Sequence, residues 1–347
     1  MMDTVNSYRY KFMVVIKMMK KNFGKLLIPL TLILSGPALA DMDKAYQAEK
    51  DGDFKTAYAE YLKEAEAGNT QAMVMIGLYY AQGQVVERDE KKSNEWMEKA
   101  AKLGDPGGEL NMGIAYKIGI GGLKKDDKKA FEWFQSAAEK GLAQAEYETA
   151  VAYQYGVGVP RDFNKAREWY LKAAEQNHAA AQNNLAGIYG DGQGVPKNAE
   201  TARSWLEKAA ANENPDALYT LGVIYHQGVG VKQDFTEAAN YFRRAFVAGK
   251  SEAAAYLAEY HYMGKGVGKS PVNAMMWLML GTEISSTVPG GQMNQQTLQR
   301  LEQNKDFLAS ELSIADMARA KKQKDDFIKE NLDTVPAPEA NKEANKS

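Results

Sequence analysis

The chain has 347 residues, 45% hydrophobic and 25% charged, with 43 Lys and Arg against 45 Asp and Glu. That balance belongs to folded protein and excludes a disordered or membrane-embedded chain. There is no cysteine, which excludes a disulfide scaffold, thiol chemistry and a lipid carried on a lipoprotein cysteine.

The first segment reads as an address. Lys20, Lys21 and Lys25 precede the apolar run from Leu26 to Gly36, and Ala38-Leu39-Ala40 offers small residues where a signal peptidase reads. The run is about half the ~20 residues of a spanning helix and is interrupted by Pro29 and Pro37, so it predicts a cleavable leader rather than an anchor. Residues 1–40 are therefore expected to be an N-terminal extension plus signal peptide cut after Ala40, with Met18 or Met19 a better start than Met1. Cleavage would remove six basic residues and one acidic residue, leaving 37 basic against 44 acidic and a net charge of about −7. Such a surface argues against nucleic acid or anionic lipid as partner, both of which need a basic patch. The expected location is the periplasm, with secretion as the alternative, and no integral span after cleavage.

From residue 69 onward the chain repeats. Gly83, Gly119, Gly156, Gly192, Gly228 and Gly264 are spaced by 36, 37, 36, 36 and 36 residues, the period of a helical solenoid. Three residues before them stand Tyr80, Tyr116, Tyr153, Tyr189, Tyr225 and His261; six before stand Gly77, Gly113, Ala150, Ala186, Gly222 and Ala258. The small column predicts a close approach of a neighbouring element. Beyond each glycine come Trp96, Trp133, Trp169, Trp205, Tyr241 and Trp277, each followed four residues later by Ala or Gly. These offsets place an apolar stripe along a second helix. Each tryptophan is read as structural, its burial contributing roughly 3 kcal/mol or more.

The loops agree. Each glycine suits a left-handed helix end, and Asp89, Asp126, Asp162, Asn198, Asp234 and Ser270 stand where the second helix needs an N-cap. Asp234 with Glu237 has capping-box spacing, and Pro271 follows Ser270 at the first helical position. The second copy carries one extra loop residue in IGIGGLKKDD, which the loop is expected to absorb.

With these columns in place, the pattern resembles the Sel1-like repeat, a relative of the tetratricopeptide repeat. The copy at 142–177 contains AEYETAVAYQYGVGVPRDFNKAREWYLKAAEQN, matching the family's Ala, Tyr, Gly-x-Gly-Val, Lys-Ala, Trp-Tyr and Ala-Ala landmarks. The resemblance covers about residues 43–285 and implies an all-α fold, a right-handed superhelical solenoid of antiparallel helix pairs. The expected organisation is a partial repeat or cap at 41–68 with Glu60 at the tryptophan position, and six repeats over 69–286. A C-terminal helical cap is expected over 287–331, with helices at about 292–309 and 313–331, followed by a disordered tail at 332–347.

No chemistry-bearing constellation emerges. The stretch from Gly264 to Ser270 resembles a phosphate-binding loop, but its first glycine would fall at Met263 and no strand precedes it. His178, His226 and His261 have no metal-ligand spacing, and neither a Gly-x-Ser-x-Gly elbow nor HExxH is present. The expectation is a non-enzyme without cofactor or metal. Transferring the groove offsets of tetratricopeptide repeats places a protein-binding groove at Tyr147, Val151, Gln154, Tyr155, Asn183, Asp191, Tyr219, Val223, His226 and Gln227. The resemblance implies an exported adaptor that binds a protein or peptide partner in envelope assembly, regulation or host interaction. Two alternatives are a weak hydrolase or binder of beta-lactam or cell-wall-like ligands, known for cysteine-rich relatives, and a structural spacer in a larger envelope complex.

Overall fold

Each glycine of the 36-residue column ends a helix. In the computed structural model, which describes residues 39–287 and 293–332, Gly83, Gly119, Gly156, Gly192, Gly228 and Gly264 all have φ between 68° and 75°. A side chain is strained in that region, and glycine is not. Gly156 donates its N–H to Ala152 O at 2.8 Å, closing the last turn. Nine or ten residues after each column tyrosine or histidine, the next N-cap residue donates its own N–H back to that residue's carbonyl, as Asp162 does to Tyr153 at 2.9 Å. The Asp162 carboxylate then accepts from the N–H groups of Asn164 and Lys165, so one residue closes the loop and starts the next helix.

Among the described residues this gives sixteen helices and no strand. A leading pair, α1 (Leu39–Lys50) and α2 (Phe54–Glu66), precedes six hairpins. These are α3 (Thr70–Gln82) with α4 (Glu90–Lys102), α5 (Pro106–Ile118) with α6 (Asp127–Glu139), and α7 (Ala143–Tyr155) with α8 (Phe163–Glu175). Then come α9 (Ala179–Asp191) with α10 (Ala199–Ala211), α11 (Pro215–Gln227) with α12 (Phe235–Val247), and α13 (Ala253–Met263) with α14 (Pro271–Thr287). Two further helices follow, α15 (Gln295–Glu311) and α16 (Ile314–Asn331). The leader expected over residues 1–40 lies outside the described residues except for Leu39 and Ala40 at the start of α1, as do the break at 288–291 and the tail from 333. The extra residue of the second copy sits in the loop, where Gly121 and Gly122 both take positive φ and the flanking helices keep 13 residues each.

The chain divides into two compact units, one ending at Asn212 and one beginning at Glu213. In the first, the deep column of large side chains on the second helices is the residue after each tryptophan: Met97, Phe134, Tyr170 and Leu206 are 0–6% exposed. The leading pair keeps this column as Tyr61 despite Glu60 at the tryptophan position. Trp96, Trp133, Trp169 and Trp205 are only half-buried. Lysine ammonium groups lie over the faces of three of them, Lys99 Nζ at 4.1 Å, Lys172 Nζ at 3.7 Å and Lys208 Nζ at 3.9 Å from the ring centroids. The indoles thus seal the outer side of the seam rather than fill its centre, their outward faces taken by lysine ammonium groups as cation–π contacts.

The deep column explains the small column opposite. A Cβ built on Gly113 would come within 2.5 Å of the Phe134 ring, and one on Gly77 within 2.8 Å of the Met97 methyl. Loop glycines also serve the stack: a Cβ on Gly158 would strike Asp127 O of the preceding hairpin at 2.0 Å. At the base of the hairpins runs a row of matched polar pairs. Buried Glu109 accepts from Lys140 at 2.7 Å, buried Glu146 from Gln176 at 2.8 Å, and Asn212 donates to buried Gln182 at 3.0 Å.

The second unit repeats the scheme with Phe242 and Leu278 in the deep column, and a Cβ on Gly222 would lie 2.7 Å from the Phe242 ring. Here the last indole, Trp277, is 3% exposed. Phe246 and Phe327 of α16 meet it edge-on at 5.2 Å and 5.0 Å. The turn that opens this unit puts Glu213 at φ 56°, where most equivalent turns have glycine, and Arg244 donates to its carboxylate at 2.8 Å.

Two outcomes follow for stability. Gly113→Ala should destabilise the protein by about 1–3 kcal/mol because the buried Phe134 ring would have to shift, whereas Gly187→Ala in α9, with nothing within 4 Å of its Cβ, should stabilise it by roughly 0.5–1 kcal/mol. Urea unfolding followed by circular dichroism distinguishes the two signs. Burial raises the pKa of Glu146, so the folded state holds that proton more tightly than the unfolded state. Its contribution to stability is therefore most favourable below the usual carboxylate range and declines as pH rises through it. Glu146→Gln, which recreates the amide pair of Gln182 and Asn212, should raise the melting temperature more at about pH 7 than at about pH 4. A pH-independent difference would contradict this assignment.

Candidate functional site

The residues expected to form a groove divide by their place on the first helix. Position two before the glycine faces inward: Gln154 accepts from the Tyr170 hydroxyl at 2.6 Å and donates to Gln193 at 3.3 Å, and the His226 ring meets the Tyr260 hydroxyl at 2.7 Å. Nine before the glycine, Tyr147 stacks on His178 at 4.8 Å and Tyr219 meets Phe242 at 5.6 Å, so both are partly committed to their neighbours. Burial pushes the Tyr219 hydroxyl pKa well up. Asn183, Val151 and Val223 are half-buried, Val151 against the core of the first unit. The position immediately before the glycine is the exposed one, holding Tyr155, Asp191 and Gln227.

That last position extends further than the sequence reading took it. In the first unit Ile118 is 56% exposed and Tyr155 66%; in the second Met263 is 59% exposed. All three are large apolar side chains at one repeat position, and the signal was available in the spacing to the next glycine.

In the second unit this surface becomes a cleft of about 940 Å³. One wall is built by α11 and α13 through Tyr219, His226, Tyr256, Tyr262 and Met263. The other is α15, presenting Arg300, Asn304 and Phe307. Val223 and Gln227 do not line it. The aromatic wall is fixed: Tyr256 lies flat on Phe242 at 4.2 Å, and His226 stacks on Tyr260 at 5.8 Å. Acidic residues on the rim are held, Asp216 by Lys250 at 2.7 Å and Glu259 by Lys265 at 2.9 Å. Sequence reasoning placed a helix at α15 but gave no reason to set it across the first-helix face.

Each histidine has a structural partner. His178 is the N-cap of α9, its Nδ1 accepting from Ala181 N at 3.2 Å, and burial lowers its pKa. The His261 pKa is also lowered by burial, beside the Gly268 carbonyl at 3.3 Å. Gly264 is a helix cap, and Gly266 lies against the backbone of Phe235 and Thr236, as Gly158 lies against that of Asp127. Among the described residues no group of three His, Asp or Glu side chains could hold a metal ion, and no helix is long and apolar enough to cross a membrane.

The Sel1 repeat family model matches six consecutive segments, residues 70–105, 106–142, 143–178, 179–214, 215–246 and 251–278. A comparison with curated proteins returns no match. Among solved structures, the chain is similar to a Sel1 repeat protein from Oxalobacter formigenes at 25% identity and a TM-score of 0.63, covering 70% of this chain and 96% of that one. It is also similar to c5321, a protective antigen of uropathogenic Escherichia coli strains with an SLR fold, at 28% identity and a TM-score of 0.49, covering 89% of this chain and 73% of that one. With hairpins, caps and matched segments in the same 36-residue frame, the chain belongs to the Sel1 repeat family.

Proposed function

We propose that this protein is an exported adaptor that holds a protein partner on the exposed face of its first helices. Repeats of this kind commonly mediate protein–protein interaction and are generally non-catalytic, which sets the class of function. The observation that carries the reading is the exposed apolar position before the capping glycine, Ile118 and Tyr155 in the first unit and Met263 in the second. Large apolar side chains kept in water at one recurring site, among polar groups such as Asn183 and Asp191, have the composition of a partner surface. Export rests on the leader read at residues 1–40, and the acidic mature surface with no cysteine suits a periplasmic site. The roles that fit are envelope assembly, regulation of another envelope protein, or host contact.

The test is crosslinking in the source cell followed by mass spectrometry. Ile118→Ser combined with Tyr155→Ser removes two exposed side chains that support no core, so helical circular dichroism should stay unchanged. Partner adducts should fall by about tenfold, the loss expected when an apolar anchor worth more than 1 kcal/mol is removed. Undiminished adducts in the double variant would refute the assignment of the first-helix face.

A further inference from the structure

The adaptor reading leaves open what the second unit's cleft would recognise, and its walls differ chemically. The α11 and α13 wall supplies fixed aromatic rings, and Met263 stands 59% exposed. Across from it, Phe307 is 54% exposed on α15, so two of the unit's large unburied apolar side chains face one cleft. An apolar group inserted there would cover both, and the rigid rings behind it lose no freedom on binding.

Charge narrows the occupant further. Asp216 and Glu259 are paired within the wall with Lys250 and Lys265, and Glu252 lines the cleft on that same side. Arg300 is exposed and has no ion-pair partner among the described residues. The α15 wall therefore offers one uncommitted cation, and a guanidinium suits a carboxylate through two parallel hydrogen bonds.

The helix sets the spacing. Arg300 and Phe307 both line the cleft seven residues apart on α15, two turns, or about 10.5 Å along the axis. A peptide extended as polyproline II rises about 3.1 Å per residue with three residues per turn, so two side chains three residues apart share one face at about 9 Å, close to that distance. Asn304 lies between them on the same wall and can hydrogen-bond the peptide backbone as both donor and acceptor.

We propose that this cleft binds an extended peptide segment of a partner protein in which an aromatic or large aliphatic side chain and a carboxylate stand three residues apart, the apolar group seated between Met263 and Phe307 and the carboxylate on Arg300. This rests on the adaptor reading and gives its second unit a specific ligand class. The partner segment is acidic and apolar rather than basic, because a lysine or arginine would meet Arg300 as a like charge.

Fluorescence polarisation with the full chain and two labelled synthetic peptides, one carrying Phe-Ser-Ser-Asp and one Asp-Ser-Ser-Phe in a Gly/Ser context, tests the assignment. One of the two orders should bind saturably. Its affinity should fall by about tenfold with Phe307→Ser, with Arg300→Gln, or with Asp replaced by Asn in the peptide. The peptide change should have little further effect once Arg300→Gln is present, a coupling that a general loss of folding would not produce. Absence of binding by both peptides, or binding indifferent to Arg300 and Phe307, overturns the proposal. Binding that tightens about tenfold in a chain ending at Leu332 assigns the cleft to the protein's own last residues and overturns it as well. Crosslinking at Ile118 and Tyr155 reads the other unit, so failure of the peptide arm is distinguishable from failure of the adaptor reading.

Discussion

Six residues before each capping glycine, the first helix of a hairpin carries only glycine or alanine, and where it is glycine the second helix fills the space left. Gly77 faces Met97, Gly113 faces Phe134 and Gly222 faces Phe242, at distances where even a methyl group would collide. This fit brings the helices of a pair close and fixes which face of the first helix is inside. The rest of the helix then has no choice. The residue before the glycine lies five positions further on, about 140° around the helix, and is turned outward; the residue before that lies only about 40° from the inward direction and is drawn into contact. Tyr155 is accordingly 66% exposed while its neighbour Gln154 accepts the hydroxyl of the fully buried Tyr170. The exposed surface on which the functional reading depends is thus a geometric consequence of the buried fit.

The caps were legible in the sequence because they demand particular residue types. Only glycine adopts positive φ freely, and short polar side chains best reach the N–H groups of a first turn, so both recur as letters at fixed spacing. The deep column was not legible in the same way. Met97, Phe134, Tyr170, Leu206, Phe242 and Leu278 share burial but no chemistry, because a cavity bounded by methyl groups and ring faces accepts any apolar side chain of suitable volume. The tryptophans drew attention as a constant letter, yet most are half-buried. An indole is large enough to span from the seam to the surface, where Lys99, Lys172 and Lys208 cover it.

The site was half legible. Of the residues selected by the groove offsets, Tyr219 and His226 line the cleft of the second unit. The offsets also selected positions already occupied by internal contacts, Gln154 among them, because an offset transferred from a relative carries no information on what the next hairpin supplies. Ile118 and Met263 belonged to the same column as Tyr155 and became visible as a set only through exposure. The wall contributed by α15 lies outside the repeat, and a periodic pattern says nothing of where a non-repeating helix comes to rest.

Fit between hairpin helices is thus the quantity on which both stability and the exposed face rest, and one pair of adjacent residues separates it from the alternative that the indoles carry the stack. Urea unfolding of Tyr170→Ala and Trp169→Ala, measured side by side, is the direct test. The deep-column account requires the greater loss at Tyr170, about 3–5 kcal/mol as for a fully buried aromatic, with a smaller loss at half-buried Trp169. An equal or greater loss at Trp169 would contradict it.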